Sequence, residues 1–190
     1  MARYTKEHKT VTRQRIIATA GHRFKQDGID GSGISTLMSD AGLTNGAFYA
    51  HFASKDDLVG HVVAQELRTQ VERYATLRPG RPGLEDFVRE YLSPEHRDHP
   101  DLGCPSAALL DEIGRCGDDT KQAYTDGART IVEEIASRLA PEDPGSARGT
   151  AIGLFTMLVG TLQLSRALSD GKFADEVLEQ GVENALRFMR

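Results

Sequence analysis

The sequence carries only two cysteines in 190 residues. Neither belongs to a C-x-x-C pair, so zinc-ribbon and thioredoxin-like readings have no support. On a single helix Cys104 and Cys116 would stand about 18 Å apart, beyond the reach of a disulfide. Unpaired thiols point to a reducing compartment, and a cytoplasmic location is expected. Long apolar runs are also missing. The longest, 151–164, is interrupted by Thr156, Thr161 and Gln163, which leaves it too short and too polar to cross a bilayer. The opening Met1-Ala2-Arg3-Tyr4-Thr5-Lys6 has no apolar core of the kind an export signal needs, so no membrane partner is expected. No stretch alternates convincingly as a strand, and neither a repeat nor a low-complexity run is visible. An all-α globular protein remains.

What is present is a charge imbalance. The net charge of -5 would by itself argue against a polyanion partner. Yet residues 1–25 carry Arg3, Lys6, Lys9, Arg13, Arg15, Arg23 and Lys25 against Glu7 alone, while residues 61–190 hold 15 basic and 22 acidic side chains. One basic end on an acidic body suits localised contact with phosphates. A solvated tail would carry the same charge.

Breakers and apolar periodicity divide the chain into about nine helices. Thr12 followed by Ile16, Ile17, Ala20 and Phe24, with Gly28 beyond, reads as a capped amphipathic helix. Ile34, Leu37, Met38 and Ala41 give a short second helix that Gly42 ends, and a third runs from Asn45 to about Phe52. Ser54-Lys55-Asp56-Asp57 has the form of a capping box and opens a long helix to about Leu77. Pro79-Gly80-Arg81-Pro82-Gly83 is the densest breaker cluster. Further helices are expected at about 84–92, 105–115, 118–139, 146–170 and 173–189. The expected organisation is a unit at 1–53 and a larger helical unit at 54–190, with helix 54–77 as connector.

Residues 34–52 place two short helices across a turn containing Gly42, the spacing of a helix-turn-helix. Gly42 suits a turn that needs positive φ, and Leu37, Ala41, Leu43 and Phe48 would fill the small core between the helices. A helical hairpin of another kind could hold the same pattern. The run Ala41-Gly42-Leu43-Thr44-Asn45-Gly46-Ala47-Phe48-Tyr49-Ala50-His51-Phe52-Ala53-Ser54-Lys55-Asp56-Asp57-Leu58 closely resembles the signature of the TetR/AcrR family of repressors, and the likeness covers roughly residues 10–60. Gly33 departs from it where a Thr or Ser cap is common, as does Met38 where a small residue is common.

That resemblance implies a three-helix DNA-binding domain followed by a helical ligand-binding and dimerisation domain. It implies a homodimer on palindromic double-stranded operator DNA, released by an unidentified small-molecule effector. Thr44, Asn45, Gly46, Ala47, Tyr49 and His51 would lie on or beside the recognition helix. Asn45 suits an adenine edge and Ala47 a thymine methyl, while Thr44, Tyr49, His51, Ser35, Thr36 and Lys55 suit phosphates. Phe48 reads as core. The last two helices would pair with their mates, with Gly149, Gly153 and Gly160 near one face and Val177, Leu178, Val182, Ala185, Leu186 and Met189 as an apolar stripe.

Candidates for the effector pocket are Phe87, Tyr91, Cys104, Tyr124, Phe155 and Gln163, each equally suited to core. Gly103-Cys104-Pro105 puts the thiol at a helix N-cap with proline at N1, where the helix dipole would favour thiolate. A repressor sensing oxidants or electrophiles through Cys104 is therefore an alternative, beside the plain reading of a small cap residue. His96-Arg97-Asp98-His99, between Pro94 and Pro100, reads as a solvated loop and supplies no zinc geometry. No cofactor or metal is expected. A thiol enzyme lacks an orienting third group, and an adaptor answering to a protein partner would share the same DNA-binding end.

Overall fold

The computed structural model describes residues 2–190, with side chains from Glu7 onward. The side chains of Arg3 and Lys6, part of the basic lead-in, lie outside the described residues. Among those described there are no strands, and the α-helices are α1 (Ala2–Asp27), α2 (Ile34–Asp40), α3 (Lys55–Thr76), α4 (Gly80–Tyr91), α5 (Pro94–Asp98), α6 (Pro105–Arg115), α7 (Asp118–Leu139), α8 (Arg148–Ala167) and α9 (Gly171–Phe188). Short 3-10 turns occupy Asn45–Ala50, Pro100–Leu102 and Pro144–Ala147. No helix among the described residues is long and apolar enough to cross a membrane.

Helix α1 is longer than its sequence signals suggest. Thr12 lies inside it, 8% exposed, and does not cap it. No proline or glycine occurs before Gly21 to stop the helix. Gly21 has a packing reason, because a Cβ there would collide with the Glu66 carboxylate of α3. The other departure is at 79–83, where the breaker cluster opens α4 instead of preceding it. Pro82 falls in the first turn, whose N–H groups have no intrahelical partner to lose. Gly83 is fixed by close approach, since a Cβ would strike the Arg78 carbonyl.

One continuous apolar cluster runs from Ile16 and Phe24 through Leu58 and Tyr74 to Ile135, Leu158 and Met189. The apolar packing therefore crosses residues 53 and 54 without a break. Helix α3 packs most extensively on α7, and α8 on α9. At Gly127 a Cβ would come within 2.6 Å of Leu67, and at Gly153 within 2.7 Å of Phe188. Gly153 is thus occupied by α9 of its own chain, whereas Gly149 and Gly160 have nothing within 4 Å. Leu178, Ala185 and Met189 of the expected final stripe are likewise buried in their own subunit. The large apolar side chains that α8 and α9 leave exposed are Ile152, Leu164, Phe173 and Phe188.

Candidate nucleic-acid interface

Helix α2 stops through two local bonds. Gly42, at φ +66, donates its N–H to the Ser39 carbonyl at 2.9 Å, and Leu43 donates to Met38 at 2.8 Å. This is a glycine-dependent C-cap that satisfies the last carbonyls and turns the chain. Thr44 then takes an extended conformation and the 3-10 turn begins at Asn45. Phe48 anchors that turn at 0% exposure against Leu37 and Met38, both equally buried, with Phe52 5.6 Å from its ring. Gly33 stands at the N-cap of α2 without a side-chain bond.

Burying Phe48 directs its neighbours outward. Thr44, Asn45, Gly46 and Tyr49 are exposed, as are Ser35 and Thr36 on α2, while Ala47, His51 and Lys55 are half-buried. Tyr49 is 68% exposed, a large aromatic ring held edge-on against Phe48 at 5.2 Å. The Ser54 hydroxyl accepts from the Asp57 N–H at 3.1 Å. The Asp57 carboxylate accepts from Ala53 N–H at 2.8 Å, one residue earlier than a standard capping box, so the first half of the cap is standard and the reciprocal half is shifted by one residue. Lys55 therefore opens α3 at its N-terminus.

The basic lead-in converges on this surface. The Arg13 guanidinium lies 4.7 Å over the Phe52 ring. Burial, then Lys9 and Arg13, pushes the His51 imidazole down from its ordinary value, which favours the neutral ring. Its Nδ1 is buried with no hydrogen-bond partner. Lys9 and Arg13 were legible only as members of a basic run. Their place beside His51 depends on α1 continuing past Thr12.

The expected effector residues are distributed differently. Phe87, Tyr91 and Cys104 are buried together with Tyr74, the rings of Tyr74 and Phe87 lying 4.7 Å apart and those of Phe87 and Tyr91 5.6 Å. The Tyr124 hydroxyl donates to Ser106 Oγ at 3.0 Å. Phe155 is half-buried on α8 against the core. Gln163 instead lines a cavity of about 450 Å³ with Leu110, Asp111 and Arg115.

Cys104 does stand at the N-cap of α6 with Pro105 behind it, without a side-chain cap bond and at 1% exposure. Burial, and then the neighbouring Cys104 thiol, push the Tyr91 hydroxyl well up. His96 corrects the expectation of a solvated loop. Residues 94–98 form a short helix, and His96 Nε2 accepts the Cys104 N–H at 3.0 Å while Nδ1 lies 2.8 Å from the Tyr91 carbonyl. These partners demand a neutral ring protonated at Nδ1. Burial pushes its pKa down to about 4. Gly103 is required here, because a Cβ would collide with that ring. Arg166 of α8 closes the segment by donating to the carbonyls of Arg97, Ala107 and His96 at 3.1, 3.2 and 2.6 Å.

Residues 16–62 match the family model described as bacterial regulatory proteins, tetR family. The chain is 39% identical over 62 residues to the HTH-type transcriptional regulator AcrR of Shigella flexneri, covering 33% of this chain and 29% of that protein. It is 25% identical over 133 residues to the HTH-type transcriptional repressor NemR of Escherichia coli K12, covering 67% of each. The match thus spans under a third of the first relative and about two thirds of the second. In fold, the chain is similar to the crystal structure of reduced E. coli NemR, with a TM-score of 0.79 at 20% identity over 92% of this chain and 94% of that one.

Proposed function

Because the chain is a TetR/AcrR-family regulator, we propose that it acts in the cytoplasm as a homodimeric repressor on operator DNA and is released by a small-molecule effector. The observation that carries the DNA half is the exposed run Thr44, Asn45, Gly46 and Tyr49, held outward by the fully buried Phe48. The 45–50 turn enters the major groove. Asn45 meets an adenine edge and Ala47 a thymine methyl. Thr44, Tyr49, His51, Lys55, Ser35 and Thr36 meet phosphates, with Lys9 and Arg13 adding positive potential.

Pairing of α8 and α9 with their mates covers Ile152, Leu164, Phe173 and Phe188, and sets the two reading turns about 34–36 Å apart, one turn of DNA. Sequencing the DNA that the purified protein selects from a random pool, with the mass of the complex, tests this. A palindromic site bound by two chains supports it, and recovery without sequence preference contradicts it.

The effector is read as binding among α4, α6, α7 and α8, around Phe87, Tyr91 and Tyr124. A second reading, in which the Cys104 thiol takes the signal, is supported by its N-cap place beside the unpartnered Tyr91 hydroxyl. Its burial means that a reagent must open the α5–α6 loop first. Operator release by an electrophile that Cys104→Ser leaves unchanged contradicts that second reading.

A further inference from the structure

Helix α1 ends at Asp27, and Gly28 turns the chain at φ +82 while donating its N–H to the Phe24 carbonyl at 2.9 Å. The next two N–H groups, of Ile29 and Asp30, both donate to Glu112 Oε1 of α6, at 2.9 and 3.3 Å. A Cβ on Gly28 would stand 3.1 and 3.2 Å from the two oxygens of that carboxylate, so glycine serves both the turn and the close approach. Glu112 gains little from its own helix. It lies in the last turn of α6, where a carboxylate opposes the helix dipole, and Arg115, the next base along α6, is paired with Asp111 instead. What its carboxylate holds is the α1–α2 turn, 82 and 83 positions away in sequence, through hydrogen bonds strengthened by its charge.

The same stretch of chain holds α1 a second time. The Lys25 side chain, 5% exposed, donates to the Gly103 carbonyl at 3.2 Å and pairs with Glu66 of α3 at 2.7 Å. Gly103 precedes α6 and Glu112 nearly ends it, so the end of α1 is fastened at both ends of α6. Helix α6 is itself held to α8, where Arg166 donates to the Ala107 carbonyl at 3.2 Å. On the other side, Arg23 bonds Asp27 and Asp40 at 2.8 and 2.9 Å, joining the ends of α1 and α2. The Ser32 hydroxyl closes the turn between them on the Gly28 carbonyl at 2.9 Å. Leu37 and Met38 of α2 then share the buried cluster with Phe48. A continuous set of bonds and packing thus runs from α8 through Glu112 to the 45–50 turn.

We propose that Glu112 is a positioning residue for operator recognition: its carboxylate holds the α1–α2 turn against α6 and so fixes the separation of the two reading turns in the dimer. This rests on the DNA-reading and pairing proposal above, in which α8 and α9 join the subunits. Glu112 touches no DNA. Its effect falls on which spacing of half-sites the dimer accepts, and not on which bases each turn prefers.

The test is fluorescence anisotropy of the full-length protein on its selected operator and on operators with one base pair inserted or removed between the half-sites. Such a change moves the half-sites by about 3.4 Å and about 35°. The parent should lose ~100-fold in affinity on respacing, because the second half-site no longer meets its reading turn. In Glu112→Ala the respacing penalty should shrink to roughly threefold, with about a tenfold loss on the original operator, while discrimination against base changes within one half-site stays as in the parent. Glu112→Gln keeps a carbonyl oxygen as acceptor and should behave as the parent does. Should Glu112→Ala not fold, Glu112→Asp serves, since it retains the charge but is one methylene too short to reach, and the same loss of spacing discrimination is expected. A respacing penalty that is unchanged in Glu112→Ala or Glu112→Asp overturns the proposal, as does a loss of base discrimination in step with spacing. A parent that shows no base preference removes the DNA reading, and this proposal with it.

Discussion

Two short connecting segments, the turn at 41–46 and the stretch 93–104, end in opposite arrangements. The first is fixed by bonds between near neighbours, Gly42 to Ser39 and Leu43 to Met38, and turns Thr44 and Asn45 to solvent. The second is fixed by groups far away in the chain, Arg166 of α8 and Lys25 of α1, and it turns His96 inward onto the Cys104 N–H. Segments organised by local bonds offer their polar groups to a partner. Segments organised by distant bonds spend those groups holding the fold together.

The contrast can be broken at four places. Phe48→Ala removes the anchor of the reading turn and should cost about 3–5 kcal/mol, read as a fall in the denaturant midpoint together with loss of DNA binding. Arg166→Met leaves the carbonyls of His96, Arg97 and Ala107 without their donor and should cost about 2–4 kcal/mol. Its effect on DNA binding should be confined to what lost stability explains, and equal disruption of the reading turn in amide exchange would dissolve the distinction between the two segments.

The third is the pH response of His96. Its pKa is about 4 in the folded chain against an ordinary 6.5, so between these values the unfolded chain takes up the proton first. The stability it contributes is complete above about pH 6.5 and declines as pH falls toward 4. His96→Gln keeps one acceptor and one donor but has no proton to gain, so urea midpoints measured from pH 7 to 4 should show a shallower fall than in the parent. Ser54→Ala should have the smallest effect, about 1 kcal/mol, seen as a lower melting temperature from the loss of one α3 cap.

How far the sequence could be read follows the same division. Helices α6 and α7 end where 105–115 and 118–139 were expected, because Pro105 and Gly117 act on their own neighbours. The outward set from Thr44 to Tyr49 was legible because Gly42 and Phe48 lie within the same short stretch. The start of α1 was not, since nothing near Thr12 distinguishes a cap from a buried helical threonine. The role of His96 could not be read, because its partners stand 5 and 8 residues away in a bent loop and the loop itself is held from position 166. Gly153 was placed on the pairing face by its spacing. Only the tertiary contact with Phe188 shows that its own chain already uses it.

The central claim is that the exposed run beginning at Thr44 reads DNA, with Asn45 on bases and Lys55 on phosphate. Fluorescence anisotropy of the purified protein on its selected site and on single-base variants, across a salt series, tests it most directly. Asn45→Ala should flatten discrimination at particular base pairs, by about 1–3 kcal/mol. Lys55→Ala should weaken all sites alike and reduce the salt slope by about one. Identical losses from both variants on every site would contradict it.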